Sequence, residues 1–534
     1  MNVAKTVLKN VASSWIGLAC QIVVTLILTP FVIAKLGTEA YGVWLLIQSM
    51  VGYYGMLDMG LRAGLTQSIT RRIAAGDNDS VRRHIAAAIP LLLGFGIAIL
   101  VVAFAVGVLL PYAVDMTGDI AHLVLPVVLV QAIGVAIKMP IAPYGSVLVG
   151  LQRYDIANAI SVATRVVFAV LTWQALSAGM GLFGLAMILA ITDCIDAAIR
   201  VAVARRLLPE IKHCGVTFDR TELKEIASVS GWNFMIGICR QLIYFSDATV
   251  VAVLFSAKAV APYGIAGALV EYGTKVVVTG TKVLFPSMSH LIKNGSKESI
   301  AELYSTSTRI VLGISLTLLI VGSTWVSPFL HLWLGDSADA KQLSSQVPVI
   351  YVVLSIAFTF VGLQRVGTQL MLAEGLLKPI SIFLTAEAAI NLVASVIAGK
   401  LMGPVGIAAG TMVAAFLTGL FLHFPAHAKI LGQTKWKLLA DIASRPIIYG
   451  ILLSGTMLAL HSLLGNSATW PQLFVAGSLS AMISLLFFPI LLSTSQILHL
   501  KVAVTAKIRT VIRRGDQSAD RSDTATKPSN TTSV

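Results

Sequence analysis

Apolar stretches of about 20 residues recur some fourteen times along this chain, and no connector between them is long enough to form a soluble domain. A helix needs ~20 residues to cross the ~30 Å hydrocarbon core of a bilayer, where every backbone polar group must be satisfied inside the helix itself. The pattern therefore dictates an all-α polytopic membrane protein. The expected spans are 11–34, 41–61, 84–110, 120–140, 156–177, 180–204, 228–254, 258–286, 307–334, 345–370, 378–400, 404–428, 446–464 and 471–495. Composition agrees: 12% of residues are charged, against ~25% in soluble domains. The first stretch follows Lys5 and Lys9 as a signal peptide would. It runs long and lacks a small-residue cleavage site, so it reads as a retained first helix.

The net charge of +14 is a topology signal. One set of loops carries Arg62, Arg71, Arg72, Arg82 and Arg83, then Arg153, then Arg205, Arg206, Lys212, Arg220 and Lys224, and so on to the segment from Lys501 to Arg514. The alternate loops hold only Lys35, Lys258, Lys341 and Lys400, each alone. By the positive-inside rule the basic loops and both termini are expected in the cytoplasm, which requires an even number of spans. The same charges suit anionic lipid headgroups, and no nucleic-acid partner is expected. Residues 496–514 alternate apolar and basic side chains and are expected to lie as an amphipathic surface helix. Residues 515–534, rich in Ser, Thr and Asp, are expected to be disordered.

Two landmarks repeat at one offset. Tyr41-Gly42 opens the second span and Tyr263-Gly264 the eighth; Gly181-x-x-Gly184 opens the sixth and Gly403-x-x-Gly406 the twelfth, each pair about 222 residues apart. An internal period of this kind marks a transporter-like duplication. Six spans per repeat relate the two lobes by a pseudo-two-fold axis along the membrane normal. The expected division is an N-terminal lobe over 1–215, a C-terminal lobe over 216–430, and two extra helices over 431–495. A site is expected at mid-depth between lobes that rock to alternate access.

The stretch from Thr29 to Leu61, with Leu36-Gly37, Tyr41-Gly42, Trp44, Leu57-Asp58 and Gly60-Leu61, resembles the start of the polysaccharide transporter family of bacterial lipid-linked oligosaccharide flippases. These are the O-antigen and exopolysaccharide repeat-unit flippases of the multidrug/oligosaccharidyl-lipid/polysaccharide exporter superfamily. The resemblance implies a V-shaped bundle with a central cavity in the bacterial cytoplasmic (inner) membrane. The implied cargo is a polyprenyl-pyrophosphate-linked sugar unit moved to the outer leaflet for lipopolysaccharide or exopolysaccharide assembly. The implied partners are that lipid-linked oligosaccharide, membrane lipids and other polysaccharide assembly proteins. The peptidoglycan-precursor flippase of the superfamily carries cations on its first, second and eighth helices; here only Arg62 and Lys275 are comparable.

Ionisable side chains within membrane spans are costly and usually face a cavity or a partner. Candidate substrate-binding residues are Arg240, Lys275, Arg165 and Arg365 for a pyrophosphate, with Asn233 and Gln21 for sugar hydroxyls; Asn391 is a further amide. Several cations are needed because an unpaired buried phosphate is prohibitive. Candidate coupling-ion residues are Asp247, Glu271, Asp193 and Glu387. The competing reading is internal pairing: Glu271 with Lys275 at i,i+4, and Arg165 with Asp193 or Asp196.

Two other classes remain in play. A cation-coupled multidrug extruder of the same superfamily would use those acids, although the first span carries none. A glycan polymerase or ligase would need catalytic groups on a sizeable loop, and the loops are short. No nucleophile motif, phosphate-cradling glycine loop or metal-ligand cluster occurs in the sequence; His423 and His427 are the one histidine pair at i,i+4. No enzyme activity, cofactor, metal site or disulfide framework is expected, and transport is expected to draw on an ion gradient, the membrane potential or downstream consumption.

Overall fold

A computed structural model of the protein describes residues 3–212, 214–282, 284–465, 469–493 and 496. Its elements are α1 (Val3–Leu36), α2 (Thr38–Ala74), α3 (Asn78–Ala113), α4 (Gly118–Lys138), α5 (Ala142–Gly150), α6 (Tyr154–Ser177), α7 (Gly181–Leu207), α8 (Arg220–Leu254) and α9 (Ala257–Lys282). They continue with α10 (Leu284–Asn294), α11 (Lys297–Leu334), α12 (Ala338–Ala373), α13 (Leu377–Met402), α14 (Pro404–Thr418), α15 (Phe424–Leu431), α16 (Lys435–Leu464) and α17 (Trp470–Phe487). No strand occurs among the described residues. Twelve helical stretches among them are long and apolar enough to cross a membrane. The second and eighth expected spans fall on α2 and α9, so each expected span coincides with a helix. The amphipathic segment and tail expected beyond residue 496 lie outside the described residues.

The helices overrun the apolar stretches because hydropathy marks only the part facing lipid. The α3, α8, α11 and α12 helices start four or more residues early, on polar caps: Asp77 accepts from Ser80 N, Asp219 from Thr221 N and Glu222 N, Ser296 from Ser299 N, and Ser337 from Ala340 N. The span expected over 258–286 falls on α9 and the start of α10, with residue 283 between them outside the described residues. The fourth span is broken. Pro140 and Pro143 insert a 3-10 turn over Met139–Ile141 between α4 and α5.

The duplication is visible in the packing. In the first lobe α1 packs on α6, α6 on α7, α3 on α4 and α4 on α7; in the second α8 packs on α13, α13 on α14, α11 on α12 and α12 on α14. The repeated sequence landmarks explain themselves. Gly181 and Gly403 both take positive φ, 59° and 70°, backbone that side chains with a Cβ rarely adopt. Tyr41 is buried, and Tyr263 donates to Asp247 Oδ2 at 2.7 Å. Gly42 and Gly264 both face the other lobe. A Cβ on Gly42 would collide with the Ala257 carbonyl oxygen, and one on Gly264 would lie 2.6 Å from Leu45 Cδ1. The two Tyr-Gly motifs thus form the seam where α2 meets α9. The α16 and α17 helices stand outside this symmetry and pack on α11.

At the end of the bundle away from the basic loops the lobes are tied by three hydrogen bonds. Thr38 N donates to Asp339 Oδ2 at 3.2 Å, Ala257 N to Asp115 O at 3.1 Å, and Trp333 Nε1 to Leu26 O at 2.6 Å. The last has a cause in sequence: residue 30 is proline, so the Leu26 carbonyl has no N–H four residues on to bond. At the basic end Arg72 donates to both Glu222 oxygens at 3.0 and 2.7 Å, and His84 Nδ1 lies 2.7 Å from Glu222 Oε2. That cluster ties the start of α8 to α2 and α3.

Candidate functional site

Three neighbouring hollows lie in the bundle. The largest, about 500 Å³, lies in the second lobe between α8, α9, α12 and α13, and Leu45, Gln48 and Ser49 of α2 also line it. Its charged lining is Arg240, Asp247, Glu271, Lys275, Arg365 and Glu387. A second hollow of about 470 Å³ lies in the first lobe, lined by Lys138, Arg165, Asp193, Asp196 and Arg200 with five hydroxyls. A third, of about 280 Å³, sits under the seam between α1, α2, α6, α7 and α9. It shares Leu45, Gln48 and Ala268 with the first and Arg165, Phe168 and Leu189 with the second, so this joining hollow adjoins both.

The ion pairs sort the candidates. Lys138 Nζ binds Asp193 Oδ1 at 2.9 Å, Arg200 Nε binds Asp196 Oδ2 at 2.6 Å, and Lys275 Nζ binds Glu271 Oε1 at 3.0 Å. The pairing expected for Arg165 is thereby corrected: α7 packs on α4, which brings Asp193 to Lys138, while Asp196 takes the arginine one turn along its own helix. Among the described residues Arg165, Arg240 and Arg365 make no salt bridge. Arg165 lies 6.0 Å from the Phe168 ring centroid. Arg365 Nη2 donates to Tyr244 Oη at 2.8 Å, and Tyr244 stacks on Phe358. Arg240 and Arg365 share Glu387 as an electrostatic neighbour.

Asp247 is the centre of a network across four helices. Its Oδ2 accepts from Tyr263 Oη at 2.7 Å and from Thr411 Oγ1 at 2.8 Å. Asn391 Nδ2 donates to Thr411 Oγ1 at 2.8 Å, and Ser246 Oγ to Asn391 Oδ1 at 3.3 Å. Asp247 is 6% exposed, and its Oδ1 has no partner among the described residues. No cluster of three His, Cys, Asp or Glu side chains able to hold a metal occurs among the described residues.

The profile of the family described as polysaccharide biosynthesis protein matches residues 7–292, more than half of the sequence. The chain belongs to that family. No curated protein sequence matches it. Solved structures share its fold. An inward-facing multidrug resistance MATE family transporter of the MOP superfamily has a TM-score of 0.66 at 15% identity, covering 77% of this chain and 95% of that one. The lipid II flippase MurJ, in an inward closed conformation, has a TM-score of 0.65 at 12% identity, covering 94% and 100%. A MOP superfamily transporter from Pyrococcus furiosus, described as having a binding pocket of reversed polarity, has a TM-score of 0.57 at 17% identity, covering 80% and 97%.

In this polysaccharide biosynthesis protein the residues singled out from sequence divide clearly. Arg240, Lys275, Arg365, Asp247, Glu271 and Glu387 meet in one hollow, and Arg165 and Asp193 in another. Gln21 lines none of these three, and the side chain of Asn233 lies outside the described residues. Sequence reading passed over Gln48, whose buried Oε1 has no partner among the described residues. It also passed over Lys138 and Arg200 as partners of the first-lobe acids. Lys138 and Arg200 carried a signal, a charge inside an apolar stretch; Gln48 carried none beyond its neighbours in the Tyr-Gly motif.

Proposed function

We propose that this protein is a flippase for polyprenyl-pyrophosphate-linked oligosaccharide units in surface polysaccharide biosynthesis. It carries them from the cytoplasmic to the outer leaflet of the bacterial inner membrane, with the basic face and both termini in the cytoplasm. The lobes 1–215 and 216–430 rock about the seam. The observation that carries the reading is that Arg165, Arg240 and Arg365 line the hollows without a salt-bridge partner among the described residues. An arginine inside a membrane span is costly unless an anion comes to it. Arg240 and Arg365, facing one hollow, offer two planar forks suited to adjacent phosphates. Lys275, already paired with Glu271, serves as a weaker third cation. The decisive experiment is leaflet exchange of undecaprenyl-pyrophosphoryl-N-acetylglucosamine in proteoliposomes. Protein-dependent exchange supports the flippase, and none refutes it.

The carboxylates Asp247 and Glu387 in the same hollow favour a second reading, a cation-coupled multidrug extruder. Efflux of a cationic dye that R240A leaves intact would establish that reading instead. On the flippase reading Asp247 takes the coupling proton or monovalent cation at its unpartnered oxygen. Asp247→Asn is then expected to leave binding of the lipid-linked sugar unchanged and to make exchange indifferent to proton and sodium gradients. A variant that still responds to both gradients removes Asp247 from that role.

A further inference from the structure

The joining hollow differs in chemistry from the two it adjoins. Five aromatic side chains wall it (Tyr41, Trp44, Phe168, Tyr272 and Trp333), and its non-aromatic polar lining is Thr25, Thr29, Gln48 and Arg165. Arg165 stands on the side shared with the first-lobe hollow, and Gln48 on the side shared with the second-lobe hollow. Trp333 is held in place by its bond to Leu26 O and its stacking on Phe329 at 5.3 Å. Gln48 Oε1 is a buried acceptor without a partner among the described residues. A buried orphan acceptor costs ~1–3 kcal/mol unless a donor arrives, so the hollow is built for something that brings one.

A pyranose ring matches this arrangement. Its C–H faces are apolar and lie well against aromatic faces, which offer rigid amphipathic surface. Its hydroxyls project at the rim, where an amide oxygen and a guanidinium can meet them. The volume of about 280 Å³ is near the lower end of the ~300–1,000 Å³ usual for small-molecule pockets, room for a ring or two and not for a chain. It also adjoins the hollow of Arg240 and Arg365 through Gln48. We propose that the joining hollow is the binding subsite for the sugar next to the pyrophosphate, with Trp44 and Trp333 walling its faces and Gln48 accepting from a ring hydroxyl. This rests on the flippase reading, since the phosphates set where the sugar falls. Rings of different sugars share apolar faces, so the subsite recognises a pyranose as a class.

The test compares undecaprenyl-pyrophosphoryl-N-acetylglucosamine with undecaprenyl pyrophosphate for binding to the purified full-length protein in detergent. The expected result is binding of both, with the sugar-bearing lipid about tenfold tighter. Gln48→Leu and Trp44→Leu are each expected to shrink that ratio severalfold while leaving the affinity for undecaprenyl pyrophosphate within twofold. Equal affinity of the wild-type protein for the two lipids overturns the subsite and leaves the flippase reading standing. Failure to bind either lipid overturns both. Should Trp44→Leu fail to fold, tryptophan fluorescence of the wild-type protein decides the matter. A spectral change with the sugar-bearing lipid alone is expected, and identical responses to the two lipids count against the subsite.

Discussion

Arg240→Ala is expected to lower leaflet exchange of a lipid-linked sugar by at least thirtyfold, with membrane insertion and yield unchanged. The magnitude follows from removing one partner of a buried charge pair, which costs ~2–5 kcal/mol, or about 30-fold and upward at 1.4 kcal/mol per decade. Folding should be spared because Arg240 makes no salt bridge among the described residues; its removal leaves no acid stranded in contact with it. Arg240→Lys keeps the charge and loses the planar fork, so its exchange is expected to fall between wild type and Arg240→Ala. Lys275→Ala is expected to cost less than Arg240→Ala, because Lys275 is spent on Glu271 at 3.0 Å. Export at the wild-type rate by Arg240→Ala would remove this residue from the cargo path. A variant that fails to insert would assign it to structure instead.

The next largest effect is expected at the seam. A Cβ on Gly42 would strike the backbone oxygen of Ala257, and backbone, unlike a long side chain, has little room to yield. Gly42→Leu is therefore expected to hold α2 and α9 apart, to break the closure made by Thr38, Asp115 and Trp333, and to reduce exchange more than tenfold. Gly94 on α3 has open space around it, and Gly94→Leu is the control expected to exchange at the wild-type rate. Thiol accessibility reads out the cause: with Ala266→Cys, a residue buried on α9, a membrane-impermeant maleimide should label the Gly42→Leu protein faster than the parent. Normal exchange and unchanged labelling in Gly42→Leu would mean that the seam does not close as described.

The architecture was readable from sequence because its determinants are local. Twenty apolar residues make a span whatever surrounds them. The Tyr-Gly and Gly-x-x-Gly repeats were also legible as repeats, although their purpose needed coordinates: close approach across the seam for Gly42, and positive φ for Gly181 and Gly403.

The site was legible residue by residue and illegible as pairs. Glu271 with Lys275 followed from i,i+4 spacing. Asp193 with Lys138 could not, since the two are 55 positions apart and meet only because α4 packs on α7. The same long-range packing left Arg165 without a salt bridge among the described residues. The Asp247 network draws on α8, α9, α13 and α14, and of its partners only Asn391 and Tyr263 had attracted notice, the latter for its place in a repeat.

The most direct measurement is an electron cryo-microscopy map of the protein bound to undecaprenyl-pyrophosphoryl-N-acetylglucosamine in lipid nanodiscs. The account predicts phosphate density within hydrogen-bonding distance of the Arg240 and Arg365 guanidiniums, inside the second-lobe hollow. Phosphate density at the bundle surface, with those two arginines turned onto Glu387 and Asp247 in a filled interior, would contradict it.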